Sequence, residues 1–115
     1  LNKTWYKLKA ESVDVPDDVV ESLDVSILQK NVLEPIFGIK DPRTDENIDF
    51  VGASRGITEL ERRADSDMDV SFALFPVSIE SLMDISDAGK IMPPKSTWFE
   101  PKLISGLFLH LFHDR

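Results

Sequence analysis

Val70-Ser71-Phe72-Ala73-Leu74-Phe75 is the stretch on which the reading of the fold turns. Five of its six residues are apolar, so an extended chain here is apolar on both faces. A strand with one face in water alternates instead, so this pattern predicts a strand buried in the middle of a sheet. Pro76 ends it, because proline has no N–H to give a ladder. Ser78 then offers a hydroxyl cap to a helix whose Leu82, Met83 and Ile85 face inward, and Gly89 closes that helix.

Working toward the N-terminus, Ile48 to Val51 (IDFV) reads as a second strand and Gly52 to Gly56 as a turn. Thr58-Glu59-Leu60-Glu61 has capping-box spacing, so a surface helix is expected to about Ala64. Before it, Lys40 to Asn47 is a polar loop. Val25, Leu28, Val32 and Ile36 recur at spacings of three and four behind Asp24 or Ser26 as cap. Pro35 predicts a kink or restart of that helix near Leu33, and Gly38 its stop. Pro16-Asp17-Asp18 suits a helix start, with Val19 to Leu23 a short helix or turn. Thr4 to Ala10 (TWYKLKA) alternates like a strand, with Thr4, Tyr6 and Leu8 on one face.

Toward the C-terminus, residues 90–102 hold three prolines and form no regular helix. Ser96 to Phe99 is a candidate edge strand within that loop. Leu103 to Phe112 (LISGLFLHLF) is the most apolar run, and its periodicity fits a strand or a buried helix. Gly106 costs a helix about 1 kcal/mol relative to alanine, which tips the reading to strand. Strands alternating with helices predict an α/β (α+β) fold, a mixed sheet of about four to five strands with roughly three to four helices packed against it. The 115 residues make one domain, 1–115, and the absence of an initial Met suggests the C-terminal fragment of a longer protein.

Composition narrows the function classes. Thirteen basic against 21 acidic residues give a formal charge of −8, so nucleic acid and anionic membranes are poor partners. No apolar run reaches membrane-spanning length. The absence of cysteine excludes thiolate chemistry and disulfides and favours a cytoplasmic setting. No P-loop, Rossmann glycine fingerprint or nucleophile elbow is present, and no residue is assigned a catalytic role or a cofactor. Asp65-Ser66-Asp67-Met68-Asp69 opens like a calcium loop, but Val70 stands where glycine is needed and Pro76 where a bidentate glutamate is needed. His110 and His113 have no third ligand nearby in sequence, so no metal site is expected.

One segment does suggest chemistry. Residues 59–89 carry eight acids and two bases, whereas residues 90–102 carry Lys90, Lys95 and Lys102 against Glu100 alone. Within that island, Pro93 and Pro94 stiffen the backbone before Lys95, Ser96 and Thr97. An ammonium, two hydroxyls and backbone amides, with Lys102 further on, are the donors a phosphate or carboxylate needs. The plainer alternative is a rigid connection with Trp98 and Phe99 as anchors, serving an interaction or dimerisation surface.

The same segment carries a resemblance. Pro93-Pro94-Lys95-Ser96-Thr97-Trp98-Phe99 with Pro101-Lys102-Leu103-Ile104-Ser105-Gly106-Leu107 resembles the C-terminal signature of the domain-of-unknown-function 1015 family. Leu23-Asp24-Val25-Ser26-Ile27-Leu28, Leu33-Glu34-Pro35-Ile36-Phe37-Gly38-Ile39, Asn47-Ile48-Asp49-Phe50, Ala73 to Ser78 and Asp87-Ala88-Gly89 resemble its other motifs, in order. Trp98 and Glu100 depart from it, standing where that family tends to have tyrosine or another aromatic. The resemblance implies a longer protein whose missing N-terminal region is this domain's partner. It further implies phosphoryl transfer involving a small metabolite such as serine, with a small anionic metabolite or a nucleotide as partner.

Overall fold

The computed structural model describes residues 1–10 and 15–97. Its best-knit part is a continuous helical stretch. Helix α1 (Asp24–Leu28) widens into a single π turn (Gln29–Leu33) and resumes as α2 (Glu34–Phe37). Pro35 explains the interruption. An α-helical Pro35 would press its ring on the carbonyl of Asn31 and leave that carbonyl without a donor. Widening the preceding turn relieves the crowding, and Pro35 then sits in the first turn of α2, where its missing N–H costs nothing. The restart expected near Leu33 is where the structure has it.

Gly38 ends this stretch in the left-handed region, at φ 73°, and its N–H reaches Glu34 O at 3.1 Å. That reversal returns Ile39 over the helix, where its N–H donates to Leu33 O at 3.0 Å. Leu33 and Ile39 are two of the three buried hydrophobic residues among those described. Gln29 Nε2 crosses to Ile39 O at 2.7 Å and pins the return.

A 3-10 turn (Ala53–Arg55) leads into α3 (Gly56–Ser66), which buries no residue, in keeping with the surface helix expected there. It begins before Thr58, and no side chain caps it. The capping box is therefore not formed: the 3-10 turn feeds directly into the helix and places Thr58 inside the first turn.

Helix α4 (Ile79–Asp87) follows its sequence signals closely. Ser78 Oγ accepts from Ser81 N at 3.1 Å, and Gly89 (φ 64°) closes the other end. Lys90 N donates to Ile85 O and Gly89 N to Ser86 O, which is the Schellman arrangement. Ile85 is only 1% exposed and Leu82 half-buried, but Met83, expected inward, is 58% exposed. No helix among the described residues is long and apolar enough to cross a membrane.

The expected sheet is overturned. Among the described residues there is no strand, so the α/β (α+β) architecture with a mixed sheet does not hold. Thr4–Ala10, Ile48–Val51 and Val70–Phe75 run without regular structure, as do Ser96 and Thr97. Trp98, Phe99 and the run Leu103–Phe112 lie outside the described residues. The physical reason is that alternation marks the faces of one extended chain, whereas a strand also needs a neighbour about 4.8 Å away to take its N–H and C=O groups. Here every loop or turn backbone hydrogen bond among the described residues is local, the widest running from Ile39 to Leu33.

Side chains of α3 hold two of these segments instead. Trp5 Nε1 donates to Glu61 Oε1 at 2.7 Å, and Lys3 lies 4.0 Å from Asp65. Arg63 reaches Asp49 at 2.7 Å while its Nε donates to Asp67 at 2.8 Å. In the third segment, Phe72 meets Phe37 edge-on, ring centroids 6.2 Å apart at 79°. Beyond Phe72 the apolar pattern goes uncovered, and Phe75 is 79% exposed.

Candidate functional site

The Pro93–Thr97 turn is built by its own residues. Pro93 and Pro94 restrict the approach, and Pro94 and Lys95 form the turn itself. Lys95 takes φ 58°, the left-handed region, which costs a residue with a Cβ about 1–2 kcal/mol. Ser96 Oγ donates to Pro93 O at 2.7 Å and closes the turn from its side chain. The Ser96 hydroxyl proton is thus committed, which leaves its oxygen as an acceptor only.

The remaining side-chain donors lie on exposed residues. Lys95 and Thr97 are exposed, and Lys95 makes no ion pair among the described residues. The N–H groups of Lys95, Ser96 and Thr97 have no acceptor among the described residues either. Three successive amides beside a left-handed residue and an ammonium form a donor-rich corner of the kind that receives anions. Backbone strain held at such a corner is a feature of ligand clamps.

The positive island expected from the sequence divides in the structure. Lys90 Nζ is bonded to Asp18 Oδ2, so its charge is already matched. Asp18 also accepts from Val20 N at 2.9 Å and Glu21 N at 3.0 Å. The Lys90 hydrogen bond first, and these two amides after it, hold the Asp18 carboxyl at about 2. Lys95 has no such partner among the described residues. Lys102, the fourth proposed ligand, and the anchors Trp98 and Phe99 lie outside the described residues.

A cleft of about 240 Å³ lies elsewhere, lined among others by Lys3, Trp5, Glu61, Asp65 and Ser71. Lys95, Ser96 and Thr97 do not line it, so they form a surface corner and not the rim of that cleft. The Trp5–Glu61 contact at its edge spans 56 residues and has no signal in the sequence. Among the described residues no three carboxylates or histidines converge on a metal position.

Four carboxylates besides Asp18 are held below their usual range by a neighbouring guanidinium. Arg43 hydrogen bonds lower Asp41, and Arg62 lowers Glu59. Arg63 lowers both Asp49 and Asp67. These are exposed pairs that order the surface and do not converge on a reacting centre.

Comparison of the chain with protein-family models, with curated proteins and with solved structures finds no match.

Proposed function

We propose that the Pro93–Thr97 turn holds the phosphate or carboxylate of a small anionic metabolite or nucleotide. In the cytoplasmic phosphotransferase-like enzyme that this reading envisages, the acid–base residues come from a further portion of a longer polypeptide. The observation that carries the reading is the left-handed Lys95, exposed and without an ion partner among the described residues, beside amides that have no acceptor there. In an acidic chain an ammonium with no ion partner among the described residues, on a stiff turn, attracts anions locally while the whole repels polyanions. Lys95 and the three amides would bind anionic oxygens, with Lys102 as a second charge, and the turn's rigidity lowers the entropy lost on binding.

A titration followed by amide NMR tests this. On addition of phosphoserine or ATP, the Lys95, Ser96 and Thr97 amide resonances shift and saturate together. Lys95→Ala weakens the fitted affinity by about 1.5–3 kcal/mol, the loss of a charge-assisted hydrogen bond. Resonances that do not move, or an affinity unchanged in Lys95→Ala, defeat the proposal.

The second reading, a non-catalytic interaction module, has its own support in the apolar side chains that α4 leaves in water.

A further inference from the structure

Helix α4 has a wide apolar arc that the described residues cover only in part. Ile85 is buried and Leu82 half-buried, but Ile79 is 72% and Met83 58% exposed. Four residues apart, Ile79 and Met83 stack on one face, a turn of helix from each other. Phe75 and Ile91, which flank the helix in sequence, are 79% and 87% exposed.

A second row runs beside the first. Glu80, Asp84 and Asp87 recur at spacings of four and three, so they form a single acidic stripe about 100° around the helix from Ile79 and Met83. All three are exposed and make no ion pair among the described residues. The helix itself carries no basic residue. The nearest basic residue in sequence, Lys90, is committed to Asp18, and Arg62 and Arg63 are committed to Glu59, Asp49 and Asp67.

We infer that this flank of α4 is the docking face for a basic amphipathic helix of a partner protein, its apolar row on Ile79 and Met83 and its lysines or arginines against Glu80, Asp84 and Asp87. Charge selects this occupant. A second copy of the chain would bring acid row against acid row within a pair of molecules each at −8, and an anionic surface would be repelled outright. An apolar row at spacing of four is the anchor pattern of helix-on-helix recognition, with the parallel charge row setting direction and register.

The test uses the whole 115-residue chain and a fluorescein-labelled synthetic helix with leucines at i, i+4 and i+7 and lysines in an adjacent row. Its anisotropy rises on titration, and the rise weakens steeply with added salt. Ile79→Ser with Met83→Ser lowers affinity at least about tenfold, the loss expected for removing central anchors. Glu80→Gln with Asp84→Asn and Asp87→Asn lowers it several-fold at low salt and flattens the salt dependence. Ile57→Ser, equally exposed but on α3, leaves it unchanged. All of these positions are exposed, and circular dichroism confirms that each variant folds as the parent does. Equal binding of a peptide with glutamates in place of its lysines, or an affinity indifferent to Ile79 and Met83, overturns the inference.

Because the chain has no cysteine, Ser86→Cys carries a benzophenone at one defined point beside the face. Photocrosslinking to the lysine helix supports the proposal. Crosslinks in its presence only to a second copy, or only to residues 98–115 of the same chain, refute it by naming another occupant.

Discussion

The Asp24–Ile39 stretch has eight apolar residues of 16 and the Val70–Phe75 stretch five of six, yet it is the less apolar one that buries its side chains. The first satisfies its own backbone through α1, the π turn and α2, reverses at Gly38, and buries Leu33 and Ile39. The second has no backbone partner among the described residues and leaves Leu74 and Phe75 in water. The difference is one of range. Helical hydrogen bonds join residues three to five apart, so a segment can complete them alone. A strand depends on a second segment brought from elsewhere in the chain.

The contrast can be broken most forcefully at Leu33. Leu33→Ala removes a buried side chain from the self-contained stretch and is expected to cost about 2–4 kcal/mol in urea unfolding, the range for such cavities. Phe75→Ala, an equally drastic truncation in the open stretch, should change stability by less than about 0.5 kcal/mol. If the two costs came out equal, Phe75 would have a covering partner and the comparison would collapse.

A smaller effect sharpens the same point at the reversal. Gly38→Ala meets no atom within 4 Å, so its cost is backbone strain alone. That is about 1–2 kcal/mol for a left-handed residue gaining a Cβ. Thermal unfolding should show the loss together with reduced amide protection at Ile39. The smallest effect concerns acid. Asp18 is lowered from 3.8 to about 2 in the folded chain, chiefly by Lys90. The stabilisation is therefore fully present above pH 4 and disappears as pH falls through about 2. Asp18→Asn should destabilise at neutral pH and flatten that acid limb, a difference readable in urea midpoints taken between pH 5 and 2.

Local signals were legible where their bonds are local. Pro35 foretold the restart, Gly38 the stop, Ser78 the cap that Ser81 N uses, and Gly89 the Schellman close. Thr58 misled because a cap needs a helix that begins there, and the turn at Ala53–Arg55 begins it earlier. Met83 misled for a related reason. Its spacing puts it on an apolar arc, but which part of an arc is covered depends on what lies opposite. The composition of the Pro93–Thr97 corner was readable as residue types. The left-handed turn at Lys95 was not, since no glycine or asparagine marks it, and neither was the capture of Lys90 by Asp18 across 72 residues.

By itself, the order of residues determined the helical stretch and its stop at Gly38, the Ser78 cap of α4, the acidic balance and the donor set after Pro94, because each depends on covalent geometry or on neighbours within one turn, whereas the cap expected at Asp24 or Ser26 did not form. Only the tertiary structure decided that the extended segments stay unpaired among the described residues, that α3 holds two of them through Glu61, Asp65 and Arg63, and that Ile79 and Met83 face water. Those outcomes depend on which distant groups meet, and a periodic pattern in one segment carries no record of its partner.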